Sequence, residues 1–386
     1  MIPYGKQEIT QKDIETVMSV LKSDFLTQGP QVPLFEKSIN QAVNVKYSVA
    51  VNSATSALHI ACLALGVGKE DVVWTTPITF VASANCALYC GADVDFVDIA
   101  SDTYNLCSEK LEIKLAHAKK NNLKLPKVVI PVHLCGQSCE MDKIYLLSQE
   151  YGFSIIEDAS HAIGGKFKGR PIGSCTYSDI TIFSFHPVKI VTTAEGGVAT
   201  TNSLQLAEKM RLLRSHGITR DSALMTEQEH GSWYYQQIAL GYNYRMTEIQ
   251  AALGVSQMER LGKYVERRNL LAEKYDELLK DLPLVTQTTI ADSYSGRHLY
   301  VIRLKLKEIE LSHKEVFEQL RARGVGVNLH YIPVHTQPYY QKLGFAIGQF
   351  PQAESYYKEA ISIPLFYMLT DLEQVKVVAE LKNILL

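Results

Sequence analysis

Apolar and polar positions along residues 1–245 follow two periods. Short apolar runs such as YSVAV (47–51) and DVVWTT (71–76) predict buried strands. Between them, stretches with apolar residues at helical spacing predict helices, as in NSATSALHIACLALG (52–66), which ends on a glycine. Apolar strands that alternate with helices indicate a mostly parallel sheet covered on both faces. The predicted fold class is therefore α/β.

Five more apolar runs bring the predicted sheet to seven strands. Before the first strand along the chain, residues 10–23 predict a helix, because Thr10 and Asp13 have the spacing of a capping box. The apolar residues of that helix fall on one face: Ile14, Val17, Met18 and Leu21. The five additional strands are predicted at 93–99, 127–133, 153–159, 178–185 and 196–201.

The pattern changes in the last third of the chain. Residues 247–282 predict one long helix, with a break near Gly254 or Gly262. We therefore predict a large domain over 1–245, with an N-terminal arm, and a small C-terminal α+β domain over 246–386 that the long helix joins to it. The later elements are predicted as a strand at 297–305, a helix at 312–324, a strand at 325–333 and a helix at 373–385.

Composition narrows the function classes. The 386 residues carry a formal net charge of -2 without a basic cluster, so no nucleic-acid partner is expected. Neither a secretory signal nor an apolar run of the ~20 residues that a membrane span needs is present. Seven cysteines, an odd number, are typical of reduced thiols in the cytoplasm. His133, Cys135 and Cys139 lie close in sequence, but no second ligand pair follows at zinc-like spacing, so we expect no metal site.

Three predicted strands end next to groups that could carry chemistry, and ligands of open parallel sheets bind beyond the carboxyl ends of the strands. Residues 52–56 open a helix, whose free N–H groups suit a phosphate. Asp158, with His161 three residues on, could hold a protonated ring nitrogen. Lys189 could condense with a carbonyl if burial or a nearby cation lowers the pKa of its amine.

Each of these positions also has an ordinary structural explanation. Ser and Thr cap many helices, Asp158 could cap the helix that follows it, and a loop lysine is usually solvated. Together, however, they supply what pyridoxal 5′-phosphate needs: an amine for its aldehyde, a carboxylate for its pyridinium N–H and a helix start for its phosphate. The sequence therefore predicts a pyridoxal-phosphate enzyme.

Eight motifs cover nearly the whole chain. They are LTQGP (26–30), NSATSALHIA (52–61), TTPITFVASAN (75–85), IIEDASHAIG (155–164), FSFHPVKIVTTAEGG (183–197), RSHGI (214–218), GYNYRMTEIQAALG (241–254) and VNLHYIPVH (327–335). By their order and spacing the chain resembles the DegT-type sugar-nucleotide aminotransferases, a branch of the fold-type I pyridoxal-phosphate enzymes. The resemblance implies a large domain with a seven-stranded sheet, a smaller C-terminal α+β domain and a homodimer with shared active sites.

The resemblance also implies roles at the cofactor. Lys189 would form a Schiff base with pyridoxal phosphate and later move a proton, while Asp158 would bind the pyridinium nitrogen. Phe80 would stack on the ring, where a core aromatic is the alternative. His161 stands where many relatives have Gln, near the ring hydroxyl. The phosphate would be bound by Ala54, Thr55 and Ser184, and by Asn243 of the neighbouring subunit.

The sugar nucleotide is the second ligand that the resemblance implies. His186 would lie near the sugar, and Arg245 would face either the diphosphate or the donor carboxylate. For Tyr4 and Phe25 the alternative is packing of an N-terminal arm, and for HYIP it is an edge strand that proline ends. The implied contacts are Tyr4, Asp24, Phe25, Leu26, Thr27, Ser53, Asn243, His330, Tyr331, Ile332 and Pro333.

Within the family, the chain is similar to the branch that serves pseudaminic acid biosynthesis. That branch moves the amino group of L-glutamate to C4 of a UDP-linked 4-keto-6-deoxy-N-acetylhexosamine. Alternative substrates are the 4-keto-pentose of lipid A modification or another UDP- or dTDP-linked 4-keto-6-deoxyhexose. A dehydratase would have histidine in place of Lys189. A non-catalytic nucleotide-sugar sensor is the alternative from a different class.

Overall fold

The computed structural model describes residues 1–386. Its helices are α1 (Gln11–Leu21), α2 (Gln31–Val43), α3 (Ala54–Ala64), α4 (Ala82–Tyr89), α5 (Ser108–Lys120), α6 (Met141–Tyr151), α7 (Leu204–Leu213), α8 (Glu248–Met258), α9 (Leu261–Leu279), α10 (His313–Ala322), α11 (Pro338–Gln341), α12 (Pro351–Glu359) and α13 (Asp371–Leu385). No helix has the length and apolar content that a membrane crossing needs.

Fifteen strands form one large and three small sheets. They are β1 (Tyr47–Val51), β2 (Val72–Thr75), β3 (Asp93–Phe96), β4 (Val128–Ile130), β5 (Ser154–Asp158), β6 (Lys166–Phe167), β7 (Arg170–Pro171), β8 (Ile180–Ser184), β9 (Gly197–Thr201), β10 (Ile218–Thr219), β11 (Gln236–Gln237), β12 (Leu284–Thr286), β13 (Ser293–Tyr294), β14 (Tyr300–Leu304) and β15 (Ala360–Ile363).

The large sheet has the strand order β1-β9-β8-β5-β4-β2-β3. Strand β9 is antiparallel to both of its neighbours, β1 and β8. All pairs from β8 to β3 are parallel. Six of the seven strands therefore point the same way, which confirms the predicted mostly parallel sheet. Their carboxyl ends share one edge, so the groups that follow β1, β5 and β8 can meet there.

Both faces of the large sheet are covered by helices. Along β8, Ile180 and Ile182 join the apolar cluster that includes α3 and α4. Phe183, and Phe185 just beyond the strand, join the cluster that includes α2 and α8. This alternation follows from the two-residue period of a strand, and it fixes which residues point toward each layer.

Helix α1 begins as predicted, with a reciprocal capping box between Thr10 and Asp13. Its apolar face points away from the rest of the chain, because Ile14, Met18 and Leu21 are each about half exposed. The helix is held by the buried Asp13 carboxylate, which accepts hydrogen bonds from Ser256, Gln257 and Arg260.

The helix predicted over 247–282, with a break near Gly254 or Gly262, is present as the two helices α8 and α9. The break lies at Glu259 and Arg260, just before Gly262, one of the two predicted break points. Arg260 turns its guanidinium to Asp13 at 2.7 Å and to the Tyr264 hydroxyl at 2.8 Å. The break thus lets one side chain tie α1 to the start of α9.

A second core surrounds the antiparallel sheet β12-β14-β15 and the helices α9, α10 and α13. The helices predicted at 312–324 and 373–385 are both present. The predicted division after residue 245 stays a prediction. Met246 to Val265 contribute to a cluster of the large sheet, whereas the second core takes residues of α9 from Leu271 onward.

The strand predicted at 325–333 is wrong. Only Val325 and Asn328 make isolated bridges, to Ile2 and Ser362. Beyond Asn328 the chain leaves the sheet, and the His330 ring nitrogen Nδ1 lies 2.8 Å from the Ser362 hydroxyl. In place of the predicted strand, an irregular segment therefore runs beside β15 at Ser362.

The buried Arg268 on α9 ties distant segments together. Its Nη1 donates hydrogen bonds to the carbonyls of Arg297, His298 and Leu365 at 3.3, 3.2 and 2.9 Å. It is 2% exposed and forms no salt bridge, and burial lowers its pKa to about 10. The guanidinium acts as a hydrogen-bond donor to the backbone and not as part of an ion pair.

Candidate functional site

Lys189 lies on a tight loop between β8 and β9. The Phe185 carbonyl accepts hydrogen bonds from the backbone N–H of Thr193 and the hydroxyl of Thr192. Ala194 has a φ of 65°, a left-handed conformation that few non-glycine residues adopt, and its N–H donates to the Thr192 hydroxyl. These contacts fix the loop that carries the lysine to the carboxyl edge of the sheet.

The environment of Lys189 favours its neutral amine. The side chain is partly buried, and burial lowers its pKa from 10.5 to about 8, although the Asp158 carboxylate opposes this change. An appreciable fraction of the amine is therefore neutral near physiological pH, which a nucleophile or proton acceptor requires.

Asp158 ends β5 and is almost fully buried. The Ser83 hydroxyl donates to its Oδ2 at 2.5 Å, and the Ser160 N–H donates to its Oδ1 at 3.1 Å. Sequence reasoning missed Ser83. The available signal was its position three residues after Phe80, which places the two side chains on neighbouring positions of α4 and its N-terminal turn. Two donors thus orient the carboxylate.

His161 is a buried and neutral imidazole in this group. Burial lowers its pKa well below the usual value, and the charge of Lys189 adds to the effect. Its Nδ1 accepts the Cys135 N–H at 3.3 Å. Its Nε2 lies 3.1 Å from the Tyr331 hydroxyl. The ring is therefore held by one contact on each nitrogen.

A second imidazole, His298, packs against His161 with 4.5 Å between ring centroids. It is 3% exposed, its Nδ1 has no hydrogen-bond partner, and burial lowers its pKa well below the usual value. The sequence analysis did not single out this residue, because RHLYVIRLK predicts only a strand. With His330, whose pKa burial lowers to about 3, three neutral imidazoles surround the amine.

The start of α3 lies against Gly197, the first residue of β9. Ser53 is its N-cap and accepts the Ser56 N–H. Ser184 pairs with Gly197 across β8 and β9. A Cβ at Gly197 would lie 2.4 Å from the Ser53 carbonyl and 2.5 Å from the Ala54 nitrogen. Glycine is required for this close approach, and Ser184, which pairs with Gly197, therefore lies next to the start of α3.

Tyr4, His330, Tyr331 and Phe80 form an aromatic wall. The Tyr4 and His330 rings are 5.5 Å apart, and Phe80 and Tyr331 are 6.2 Å apart. Phe80 is 58% exposed, so its ring has open space beside it. The structure brings these four predicted residues together, with Ile332 exposed and Pro333 buried next to them.

The N-terminal arm reaches this wall along residues 324–326. The Ile2 N–H donates to the Gly324 carbonyl, and the Gly326 N–H donates to the Ile2 carbonyl. The Tyr4 carbonyl accepts the Leu365 N–H at 3.0 Å. A Cβ at Gly5 would lie 4.0 Å from the Val188 carbonyl. The arm therefore passes directly beside the Lys189 loop.

The predicted contacts Asp24, Phe25, Leu26 and Thr27 lie elsewhere within the chain. All four are exposed; the Leu26 carbonyl accepts the Glu248 N–H, and Thr27 bridges Thr247, the N-cap of α8. The buried Glu248 carboxylate, which sequence reasoning missed, accepts the N–H groups of Gln31 and Val32 and thereby caps α2. Within one chain this segment does not contact the aromatic wall.

Asn243 and Arg245 lie beside the end of β1. Asn243 is exposed, and its side chain makes no hydrogen bond within the chain. Arg245 donates to the Ser215 hydroxyl at 3.0 Å, and its buried Nε has no partner. His186, which is also exposed, has its Nε2 at 4.0 Å from a carboxylate oxygen of Glu195. These three side chains therefore border the edge that holds Ser53 and Lys189.

The histidine and cysteines of 133–139 form a structural contact. His133 Nε2 pairs with Glu157 at 2.7 Å, and its Nδ1 accepts the Cys139 N–H at 3.1 Å. Burial lowers the pKa of His133, whereas the Cys139 side chain and the Glu157 carboxylate raise it. No group of three His, Cys, Asp or Glu side chains is arranged to hold a metal ion.

The chain is similar to known proteins over nearly its full length. The model of the DegT/DnrJ/EryC1/StrS aminotransferase family matches residues 7–382. The chain is 40% identical over 365 residues to a UDP-4-amino-4,6-dideoxy-N-acetyl-beta-L-altrosamine transaminase of Campylobacter jejuni, which covers 94% of the chain and 92% of that protein. It is 38% identical over 373 residues to the spore coat polysaccharide biosynthesis protein SpsC of Bacillus subtilis, with 96% and 93% covered.

A solved structure has the same fold over its whole length. Helicobacter pylori PseC, an aminotransferase involved in the biosynthesis of pseudoaminic acid, superimposes with a TM-score of 0.90 at 30% sequence identity. The match covers 100% of this chain and 99% of that protein. The predicted fold-type I aminotransferase architecture is therefore confirmed.

Proposed function

This chain belongs to the DegT/DnrJ/EryC1/StrS aminotransferase family, whose members are pyridoxal-phosphate-dependent sugar aminotransferases, and we propose that it aminates C4 of a UDP-linked 4-keto-6-deoxy-N-acetylhexosamine. The amino donor is L-glutamate. The observation that carries the proposal is the partly buried Lys189, with its lowered pKa, facing the Asp158 carboxylate at the same sheet edge as the start of α3.

The residues present fit pyridoxal phosphate. The N–H groups of Ala54 and Thr55 and the Ser184 hydroxyl suit a phosphate, since a helix start with free donors attracts an anion. Gly197 lets β9 pass close to this helix start, because a Cβ there would clash with the backbone of Ser53 and Ala54. Bound pyridoxal phosphate supplies an aldehyde that captures amines and a ring that withdraws electrons from the captured carbon.

Asp158 and Phe80 would hold the ring. A carboxylate fixed by Ser83 and Ser160 is oriented to keep a proton on the ring nitrogen, which maintains the electron-withdrawing character of the ring. Phe80, with more than half of its surface free, offers an apolar face for stacking. His161 is neutral, so it adds no charge beside the ring hydroxyl.

Lys189 would act first as the residue that holds the aldehyde and then as a base. Once an amino group of a substrate displaces it, its amine can take a proton from the donor carbon and return one to the sugar C4 side. A pKa of about 8 suits both directions, because the amine and the ammonium are then both populated near neutral pH.

The sugar nucleotide would lie along the aromatic wall. Tyr4, His330, Tyr331, Ile332 and Pro333 offer aromatic and backbone surface for a base and a sugar. His186 is exposed at the mouth of the site, where it could orient the sugar or carry a proton. Ser53 and the segment Asp24, Phe25, Leu26 and Thr27 complete the set that we assign to the nucleotide sugar.

The site is expected to form between two subunits. The exposed apolar residues of α1 and of the following turn, Ile14, Met18, Leu21, Phe25 and Leu26, suit burial against a second copy. In a homodimer, Asn243 would contact the phosphate bound by the neighbouring subunit, and the segment Asp24 to Thr27 could reach the neighbour's sugar site. All seven cysteines are free, which fits work in the cytoplasm.

Shared active sites can be tested by mixing two inactive variants. Lys189→Ala and Asn243→Ala each disable one half of a shared site, but a mixed dimer contains one intact site. Unfolding and refolding the two together should restore about a quarter of the wild-type activity by statistical mixing. If each subunit carried its whole site, the mixture would show no more activity than the separate variants, and that outcome would reject the shared site.

The substrate is tested with a panel of UDP- and dTDP-linked 4-keto sugars and glutamate labelled with ¹⁵N on its amino group. We expect the label at C4 of the N-acetylhexosamine, identified by mass and NMR, and no transfer by Lys189→Ala, which should also lose the visible absorption of the cofactor. Transfer of the label to another 4-keto sugar would show that this other sugar is the substrate. Bound cofactor without turnover would favour a sensor, and loss of water would indicate a dehydratase. A colourless wild type that takes up no cofactor would contradict the proposal.

A further inference from the structure

The hydrogen bonds of His161 define which of its nitrogens carries the proton. The ring is neutral, because burial lowers its pKa well below the usual value. Its Nδ1 accepts the Cys135 N–H at 3.3 Å, so Nδ1 bears no hydrogen. The single ring proton therefore sits on Nε2, which lies 3.1 Å from the Tyr331 hydroxyl and donates to it.

The direction of this contact determines what Tyr331 can do next. Its hydroxyl oxygen accepts from His161, so its own proton points to another acceptor. No protein oxygen or nitrogen other than His161 lies within hydrogen-bond distance of that hydroxyl. Burial, with the nearby Asp158 charge, raises the pKa of Tyr331 far above its usual value, so the proton stays on. Tyr331 thus has a donor that the protein leaves unused.

The position of this hydroxyl differs from what the motif HYIP suggested. The sequence grouped Tyr331 with the nucleotide-sugar contacts, yet its hydroxyl meets His161, and its ring lies 6.2 Å from Phe80. Asp158 acts on it by charge. His161, Phe80 and Asp158 are the residues expected around the cofactor ring. The neighbour His330, in contrast, packs against Tyr4 and pairs with Ser362.

We propose that Tyr331 is a positioning residue for the cofactor, donating its hydroxyl proton to the phenolic oxygen of the pyridoxal ring while Nε2–H of His161 fixes its orientation. This inference rests on the pyridoxal-phosphate part of the proposed function and is independent of which sugar is used. The phenolic oxygen is the acceptor of choice, because it is anionic on the bound ring and a charge-assisted hydrogen bond is the stronger kind.

The proposal is tested by the affinity of the cofactor-free protein for pyridoxal phosphate, followed by intrinsic fluorescence. Tyr331→Phe should bind about tenfold more weakly, the loss typical of one hydrogen bond to a charged group. Tyr4→Phe is the matched control on the same wall and should bind within about twofold of wild type. Thermal unfolding shows whether each variant is folded. A Tyr331→Phe protein that is folded and binds as tightly as wild type would overturn the proposal.

Variants of His161 test the orienting contact. Gln can accept the Cys135 N–H through its oxygen and donate to Tyr331 through its nitrogen, so His161→Gln should keep the affinity, whereas His161→Leu should lose about tenfold. Since the two residues act through one hydrogen bond, Tyr331→Phe with His161→Leu should be no weaker than either single variant. Losses that multiply to about a hundredfold would show two independent contacts and would reject the relay.

A spectroscopic measurement separates positioning from packing. The visible absorption of the bound cofactor should change at a higher pH in Tyr331→Phe than in Tyr4→Phe, because a donor to an anionic oxygen stabilises the anion. An unchanged pH profile with a raised KM for the sugar alone would assign Tyr331 to the sugar and contradict the inference. Wild type that binds no cofactor would instead overturn the proposed function, so the two failures are distinguishable.

Discussion

The Ser83 hydroxyl lies 2.5 Å from Oδ2 of Asp158 and donates a hydrogen bond to it. Ser83 is fully buried, and its hydroxyl also lies 2.7 Å from that of Thr79. The Thr79 and Ser83 hydroxyls thus orient the Asp158 carboxylate, whose charge opposes the effect of burial on the pKa of Lys189.

Replacing Ser83 by Ala should weaken cofactor binding. Loss of a hydrogen bond to a charged group costs about 1.5–3 kcal/mol, so the dissociation constant for pyridoxal phosphate should rise by about tenfold or more. Fluorescence titration of the cofactor-free protein measures this constant. Ser148→Ala, a buried serine on α6 that bonds only its own helix and a neighbouring glutamine, should leave it unchanged. Equal affinities of all three proteins would contradict a role of Ser83.

The stability of the cofactor-free protein should depend on pH through Lys189. Its pKa is about 8 in the folded protein and near 10.5 when unfolded, so folding disfavours the ammonium. Below pH 8 the full cost is present, and it fades as the pH rises from about 8 to 10.5, where the unfolded state binds the extra proton. Lys189→Met should therefore raise the free energy of unfolding by about 2–3 kcal/mol at pH 7 and by less at pH 10.

Urea unfolding at the two pH values checks this prediction. Lys120→Met, at the exposed end of α5, provides the control, and its effect on the free energy of unfolding should be small throughout. A difference between wild type and Lys189→Met that is the same at pH 7 and pH 10 would show that the amine does not lose its proton in this window.

Gly197→Ala should damage both stability and cofactor binding. The new methyl group would lie 2.4 Å from the backbone of Ser53, where no flexible side chain can yield. We expect a loss of about 3 kcal/mol or more in the free energy of unfolding and no retained pyridoxal phosphate after purification. Gly262→Ala on α9 is the control, because nothing lies within 4 Å of its Cβ position. A Gly197→Ala protein that keeps the cofactor would contradict this prediction.

Glu248→Ala should loosen the LTQGP segment. The carboxylate is fully buried and accepts the Gln31 and Val32 N–H groups at the start of α2, so its removal leaves two donors unpaired. The expected cost is about 1–3 kcal/mol in the free energy of unfolding. Thermal unfolding measures this loss against Glu318→Ala, an exposed residue of α10. The KM for the sugar nucleotide should rise if Phe25 and Leu26 contact it, and an unchanged KM would remove this segment from the site.

Much of the site was predictable because its residues follow strands. Asp158 ends β5 and Lys189 lies in the loop after β8, and parallel strands place such positions on one edge. Ser83 and His298 were missed, since each acts on a residue that lies far away along the chain: Ser83 and Asp158 are 75 positions apart. Contacts of this kind depend on how the elements pack, which local periodicity does not report.

The predictions about helices and strands were incomplete for the same reason, because they too depend on contacts between distant parts of the chain. The apolar residues Ile14, Met18 and Leu21 predicted a helix correctly, but their periodicity could not tell whether they pack within the chain or face outward. The break between α8 and α9 was predicted near Gly262, but the contact that Arg260 makes there with Asp13, 247 positions away, was not. The segment 325–333 has the composition of a strand, yet His330 and Tyr331 leave the sheet to meet Ser362 and His161.

The three backbone contacts of Arg268 have a mechanical consequence. These hydrogen bonds connect α9 to the backbone at Arg297, His298 and Leu365. Leu365 in turn holds Tyr4, and the His298 ring rests on His161. A hinge motion of α9 and the sheet β12-β14-β15 would therefore move the aromatic wall together with the imidazole next to Lys189. Opening the entrance for a nucleotide sugar would then also shift the neighbours of the Lys189 amine.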